Sequence, residues 1–278
     1  MKRTMRIMGL CALMAFVAAS CQKNEGKMTN TLSATLNQPS IEGKTYIGEG
    51  DYLLWSEGDQ ILVFDANCVS HTFNAVSSGT RHTDFVGDDM IDPNVAYWSF
   101  YPVDYVTSLA NGEIVYSIPS TQTYVEGSIS TNTYPIAASN RGSGTEFTFR
   151  GIFGILAIPL TGNCTIGSVE YTDASFNLYG NIHVRIQDIE GLVYPDDAGT
   201  KDGKGKTITL TFGEDGLALT STPQVIRFVL RPLAGCQGFT ITVKDLDGNV
   251  IYTRSTTANN IIMPEKIRLM PTINITEP

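Results

Sequence analysis

Thr207-Ile208-Thr209-Leu210-Thr211-Phe212 alternates polar and apolar side chains without a break, and Phe239-Thr240-Ile241-Thr242-Val243-Lys244 does the same. A period of two puts every apolar side chain on one face of an extended chain, so each stretch reads as a strand with one face in a core and one in water. Phe147 and Phe149 flank Thr148 in the same way. Short runs of similar character lie at 52–55, 60–65, 71–76, 96–101, 113–118, 152–160, 168–172, 182–186, 225–230 and 250–255. Beyond residue 20 no stretch shows a convincing ten-residue helical period. The 26 glycines and 12 prolines fall mostly between the runs, and Asp245-Leu246-Asp247-Gly248-Asn249 has the chemistry of a hairpin turn. The expected fold class is all-β, built as sandwiches.

The chain has 278 residues, 42% of them apolar and 17% charged, enough for one large or two ordinary domains. A polar, glycine-containing stretch at 139–144 precedes Phe147 and marks the expected boundary, with sandwiches at 45–142 and 143–278. Residues 22–44 are polar and read as a tether, interrupted by one alternation, Leu32-Ser33-Ala34-Thr35-Leu36, that suits a single strand.

The whole chain carries 19 basic and 28 acidic residues. Lys2, Arg3 and Arg6 are the charged residues of the first twenty, so the remainder holds 16 basic against 28 acidic, a net of −12. Phosphate binding needs a basic stripe that no long segment supplies, which excludes nucleic acid as a partner. Only one apolar run approaches a dozen residues, which excludes a polytopic membrane protein.

That run belongs to residues 1–20. Met1 to Arg6 is a basic n-region, Ile7 to Ala19 an apolar h-region too short to span a bilayer, and Ala18-Ala19-Ser20 sets small residues before Cys21. The arrangement resembles the lipobox of bacterial lipoproteins, in which Cys21 becomes the acylated first residue; an ordinary secretory peptide cut nearby is the competing reading. Gln22-Lys23-Asn24-Glu25 is similar to the short export tag of surface lipoproteins in anaerobic Gram-negative bacteria.

Little else points to chemistry. Cys68, Cys164 and Cys236 are odd in number and lack C-x-x-C spacing, so they read as small buried hydrophobes, with one bridge and a spare thiol as the alternative. His71, His82 and His183 sit in no metal-binding pattern; His71 falls in a strand and His82 in an expected loop. There is no G-x-S-x-G, and Gly203-Lys204-Gly205-Lys206-Thr207 lacks the first glycine and following helix of a phosphate loop, so it reads as a solvated hairpin loop. Asp84, Asp88, Asp89 and Asp92, and again Asp196, Asp197 and Asp202, lack calcium-loop spacing and read as hydrated surface. Tyr97-Trp98-Ser99-Phe100-Tyr101-Pro102 suits either a strand buried on both faces or a sugar-stacking platform. Paired carboxylates for glycoside hydrolysis need only meet in space, and spacing is silent on them. No cofactor is expected.

Several segments together resemble the fimbrillin family, the FimA- and Mfa-like surface lipoproteins of anaerobic Gram-negative bacteria. They are the lipobox at Cys21; Trp55-Ser56-Glu57-Gly58-Asp59-Gln60-Ile61, similar to a W-x-x-G-D-x-I motif; the aromatic segment from Trp98 to Pro102; Ile118-Pro119-Ser120-Thr121-Gln122, similar to I-P-x-x-Q; and Phe153 to Leu160 with the closing Phe239 to Leu269. The resemblance implies two tandem transthyretin-like β-sandwiches and a non-enzymatic pilus subunit, structural or accessory, that assembles by strand exchange and contributes to adhesion. It implies a surface-exposed outer-membrane lipoprotein, part of a fimbrium, whose partners are other fimbrillin-type subunits and a host or bacterial receptor or glycan. The segment around Leu32 would be removed by cleavage at Lys44, where the family's usual site is arginine. Ile267, Leu269, Ile273 and Ile275 alternate, broken by Pro271, and are candidate donor-strand side chains or an ordinary final strand. A surface glycan-binding β-sandwich lipoprotein is the alternative.

Overall fold

The computed structural model describes residues 27–42, 53–110, 112–129, 133–140, 142–185 and 202–276. Cys21, Lys44, Asp196, Asp197 and the proposed signal peptide lie outside them. In chain order the strands begin with β1 (Thr29–Leu36), β2 (Ser40–Glu42), β3 (Gln60–Phe64), β4 (Ser70–Ala75), β5 (His82–Ile91) and β6 (Trp98–Tyr101). A 3-10 turn at Val103–Tyr105 leads to β7 (Val106–Ala110), β8 (Glu113–Ile118), β9 (Thr121–Thr123), β10 (Ile136–Ser139) and β11 (Glu146–Gly151). Next come β12 (Gly154–Gly162), β13 (Thr165–Ile166), β14 (Ser168–Asp173), β15 (Tyr179–Arg185), β16 (Asp202–Gly205) and β17 (Thr207–Thr211). The last are β18 (Leu217–Ala218), β19 (Gln224–Leu230), β20 (Phe239–Lys244), β21 (Val250–Thr256), β22 (Lys266–Leu269) and β23 (Ile273–Ile275). The protein is all-β: no α-helix occurs among the described residues.

Two cores organise these strands. The first is enclosed by a barrel in the order β1-β11-β10-β6-β3-β4-β5, closed where β5 returns to β1. The second lies between the sheet β19-β12-β22-β2, with β23 also on β12, and the sheet β21-β20-β14-β17-β9. The small sheet β16-β15-β8-β7 adds Ile114, Tyr116, Ile182 and Val184 to the first core. Residues 139–144, the polar stretch of the sequence, fall at the β10–β11 connection of the barrel.

β12 is the strand the cores share. Ile155 and Ala157 enter the first, while Leu156, Ile158 and Leu160 enter the second. Burial on both faces explains why this segment reads as a continuous apolar run, not an alternation.

The family-like motifs prove to be packing devices. Trp55 is buried with its indole edge-on to Phe85, Tyr101 and Phe149 at centroid distances of 5.0, 5.5 and 5.4 Å. The turn after it is locked by the Ser56 amide donating to Asp59 Oδ2 at 2.7 Å and by Gly58 at φ 85°, a left-handed conformation that favours glycine. Gln122, the last residue of the I-P-x-x-Q segment, is buried and reaches across to β19. Its amide donates to the Val229 carbonyl at 2.7 Å and accepts from the Val229 amide at 3.0 Å.

Three sequence expectations are corrected. Cys68 is not a buried hydrophobe: it is an exposed free thiol at φ 62° in the β3–β4 turn, while Cys164 is buried and Cys236 partly so, all three unbridged. The stretch after Lys201 is not simply a loop, because residues 202–205 form β16 on β15, and Gly205 lies under the Tyr179 ring where a Cβ would stand 2.6 Å from ring atoms. A glycine kept for close packing looks like a loop glycine in sequence. His82 opens β5, its Nδ1 2.8 Å from Thr35 Oγ1. The aromatic string at β6 takes the buried reading, with Tyr97 and Phe100 inside and Trp98 half-buried against the first core.

Candidate functional site

The segment with the most to say about function is the first described strand and what it touches. β1 alternates as its sequence predicts: Leu32, Ala34 and Leu36 are buried, and the residues between them are less so. It is paired on both edges, parallel to β11 from Ser33↔Glu146 to Leu36↔Phe149 and antiparallel to β5 from Thr29↔Ile91 to Thr35↔His82. β1 is therefore the stave that closes the barrel. Taking it away leaves an open six-strand sheet, with unpaired edges on β5 and β11 flanking the hollow left by Leu32, Ala34 and Leu36.

Beyond Leu36 the chain crosses to the sheet that contains β12 and β22. The Gln38 side chain donates to the Leu53 carbonyl at 2.9 Å and accepts from the Leu53 amide at 2.6 Å, standing in for a strand neighbour. β2 then lies parallel to β22, with Ser40↔Lys266 and Glu42↔Arg268 as partners. The Ser40 amide donates to the Glu265 carbonyl at 2.8 Å, and Lys266 Nζ reaches Ser40 Oγ at 2.6 Å. Residues 29–42 thus form a single strap that joins the barrel to the edge of the β12 sheet. Lys44, the candidate cleavage residue, lies outside the described residues just past its end.

The tail lies along the edge of β12 opposite β19. β22 and β23 both run parallel to β12, with Ile155↔Ile267 and Ala157↔Leu269 in one stretch and Leu160↔Ile273 and Gly162↔Ile275 in the other. Ile267, Ile273 and Ile275 are buried and Leu269 partly buried. All four candidate donor side chains are thus seated in this chain's own structure. A charge-assisted fork secures the entry to the tail: Arg150 on β11 donates through Nη2 to Glu265 Oε2 at 3.0 Å and through Nε at 3.3 Å.

Sequence reading missed β2, which is three residues long and too short for any period. It also missed β5, whose exposed Asp84, Asp88 and Asp89 hid an alternation of buried Thr83, Phe85 and Gly87. His71 Nδ1 sits 3.0 Å from Asp89 Oδ2, a surface pair between β4 and β5. Among the described residues no group of three His, Cys, Asp or Glu side chains converges as a metal site, and no helix is long and apolar enough to cross a membrane.

Comparison with known proteins bears on the fold. No family model matches the chain, and no curated protein matches it. Among solved structures it is similar to a putative cell adhesion protein from Bacteroides uniformis, at 16% identity and a TM-score of 0.52, covering 88% of this chain and 92% of that one. It is similar to a second putative cell adhesion protein, from Bacteroides ovatus, at 11% identity and a TM-score of 0.52, covering 88% of this chain and 91% of that one. At such identities the shared property is the all-β fold along nearly the whole chain.

Proposed function

We propose that the protein is a non-enzymatic, fimbrillin-like surface adhesin, a structural or accessory pilus subunit held at the outer membrane through Cys21 and assembled with like subunits by strand exchange. The observation that carries this reading is the position of β1, an N-terminal strand that closes the barrel between two edges it does not share with its chain neighbours. An added strand on such edges gains main-chain hydrogen bonds, and pockets for alternate side chains give it register. Leu32 and Leu36 together contribute about 3–6 kcal/mol of apolar burial, so β1 leaves only when cut free or replaced. Cleavage at Lys44 releases β1 and β2 as one piece, and the next basic residue is Arg81, inside the barrel. The adhesion proteins that share the fold support the same class.

The test is digestion of the purified chain with a lysine-specific protease, followed by N-terminal sequencing and electrophoresis in SDS. A new terminus at Thr45 together with SDS-resistant ladders is the expected result. A chain trimmed at Lys44 that stays monomeric overturns assembly by strand exchange.

A further inference from the structure

The second core is not closed on every side. Between β21 and the tail that carries β22 and β23 lies an open groove of about 430 Å³, floored by core residues including Ile158, Phe239 and Ile273. Its walls hold Arg254, Arg268, Ser255, Thr256 and Asn260, and among the described residues no Asp or Glu lines it. In a chain with a formal net charge of −9 this is a local reversal of sign. Arg254 is exposed on the edge strand β21 and makes no ion pair among the described residues. Arg268 has an interaction of its own, so the free guanidinium of the groove is that of Arg254.

The neutral groups are organised for polyol binding. Asn260 Nδ2 donates to the Ala258 carbonyl at 3.1 Å and to Thr256 Oγ1 at 3.4 Å. Thr256 Oγ1 also accepts from the Ala258 amide at 3.1 Å. These bonds leave the Asn260 side-chain oxygen as an acceptor and the Thr256 hydroxyl hydrogen as a donor, both fixed in place. Ser255 pairs with Thr240 on the outer face of the sheet, its Oγ 2.8 Å from Thr240 Oγ1, so its hydroxyl faces away from the groove.

From this groove we infer that the protein has a binding site for a carboxylate-bearing saccharide of the uronic acid class. An arginine fork matches a carboxylate in geometry and charge. The hydroxyl and amide groups match ring hydroxyls, and the aliphatic floor takes the carbon face of a pyranose. The volume lies in the lower part of the range of about 300–1,000 Å³ for small-molecule sites, which favours one or two sugar rings over an extended peptide. The site is present in the uncleaved chain with β23 in its own sheet, so binding there is measurable without strand exchange, and release of the tail residues from Arg268 to Ile273 takes the groove apart.

Isothermal titration of the purified uncleaved chain with digalacturonic acid, its dimethyl ester and an acetylated tetraglutamate tests the assignment at low ionic strength. Digalacturonate is expected to bind saturably, and the ester at least about tenfold more weakly, because a charge-assisted hydrogen bond is lost. Arg254→Gln is expected to weaken binding by a similar factor, as is Ala258→Glu, which sets a carboxylate on the exposed rim. Lys204→Gln, on exposed β16, is expected to leave affinity unchanged, and thermal melts of all three variants check that each is folded. The inference is overturned if digalacturonate shows no saturable binding up to about 10 mM, if the ester binds equally well, or if folded Arg254→Gln retains full affinity. Tighter binding of the tetraglutamate overturns the saccharide class in favour of an acidic peptide.

Discussion

Ile267 and Ile273 lie six positions apart, yet their side chains enter different cores, Ile267 the barrel's and Ile273 the second. In a regular strand an even separation keeps two residues on one face. The register explains the reversal. Ala157 faces Leu269 and Leu160 faces Ile273, so three steps along β12 are matched by four along the tail, and one extra residue is taken up at Met270-Pro271-Thr272. A one-residue slip turns every later side chain to the other face. The four alternating residues of the tail lie on a single face only when the tail is fully extended, as the proposed strand exchange requires.

Deleting Pro271 separates the two states. In the chain's own sheet the deletion removes the extra residue and leaves Ile273 and Ile275 facing the second core, so the urea midpoint is expected to correspond to a loss below about 1.5 kcal/mol. In an extended donor strand it moves the same residues off the face of Ile267 and Leu269, and the SDS-resistant ladders are expected to disappear. A stability loss of about 2–5 kcal/mol, as for Ile273→Ala, speaks against this register.

The bond pair between Gln122 and Val229 gives a second prediction. Gln122→Leu keeps the volume roughly constant but strands a buried amide and a buried carbonyl on β19. Each is expected to cost about 1–3 kcal/mol, measured as a drop in the urea midpoint with an unchanged slope. A cost below about 0.5 kcal/mol means that the Val229 groups find other partners.

Alkaline pH gives a third. Burial holds the hydroxyls of Tyr101, Tyr116 and Tyr171 above the ordinary value of 10, with the charges of Asp59 and Asp173 adding to the effect at Tyr101 and Tyr171. A folded pKa above the unfolded one means that the native state keeps a proton the unfolded chain loses. Stability is therefore full below pH 10 and falls above it, by up to about 1.4 kcal/mol per pH unit for each such group. Tyrosinate absorbance is expected to rise in two steps, exposed tyrosines first and these three together with loss of the β-sheet circular dichroism. Coincident titration of all 12 tyrosines while the sheet signal persists counts against their burial.

How far the fold was legible follows from local chemistry. β14, β17 and β20 were readable because each has one wet face and one dry face, and the Asp245 to Asn249 turn was readable because Gly248 at φ 83° needs its residue type. β12 was visible as an apolar run, but its service to two cores was not, since burial on both faces erases the alternation that assigns a face. β16 looked like a loop because Gly205 is selected by the Tyr179 ring, a contact with no local signature.

The candidate sites divide in the same way. The alternation of Leu32, Ala34 and Leu36 was enough to call for a strand, but nothing nearby says that it lies between β5 and β11. The groove beside Arg254 was invisible: Arg254 and Arg268 lie on separate strands, and no spacing rule joins residues whose proximity comes from two sheets left open on one flank.

What the sequence by itself determined is the set of strands with one wet and one dry face, the absence of α-helices among the described residues and the net acidity of the chain, because those depend on residue type and on a period of two. What only the tertiary structure decided is which strand closes the barrel, which core each tail isoleucine enters and which residues of separate strands line the groove beside Arg254. These depend on pairing between segments far apart in the chain, and hydrogen-bond register between distant backbones leaves no mark on either segment alone.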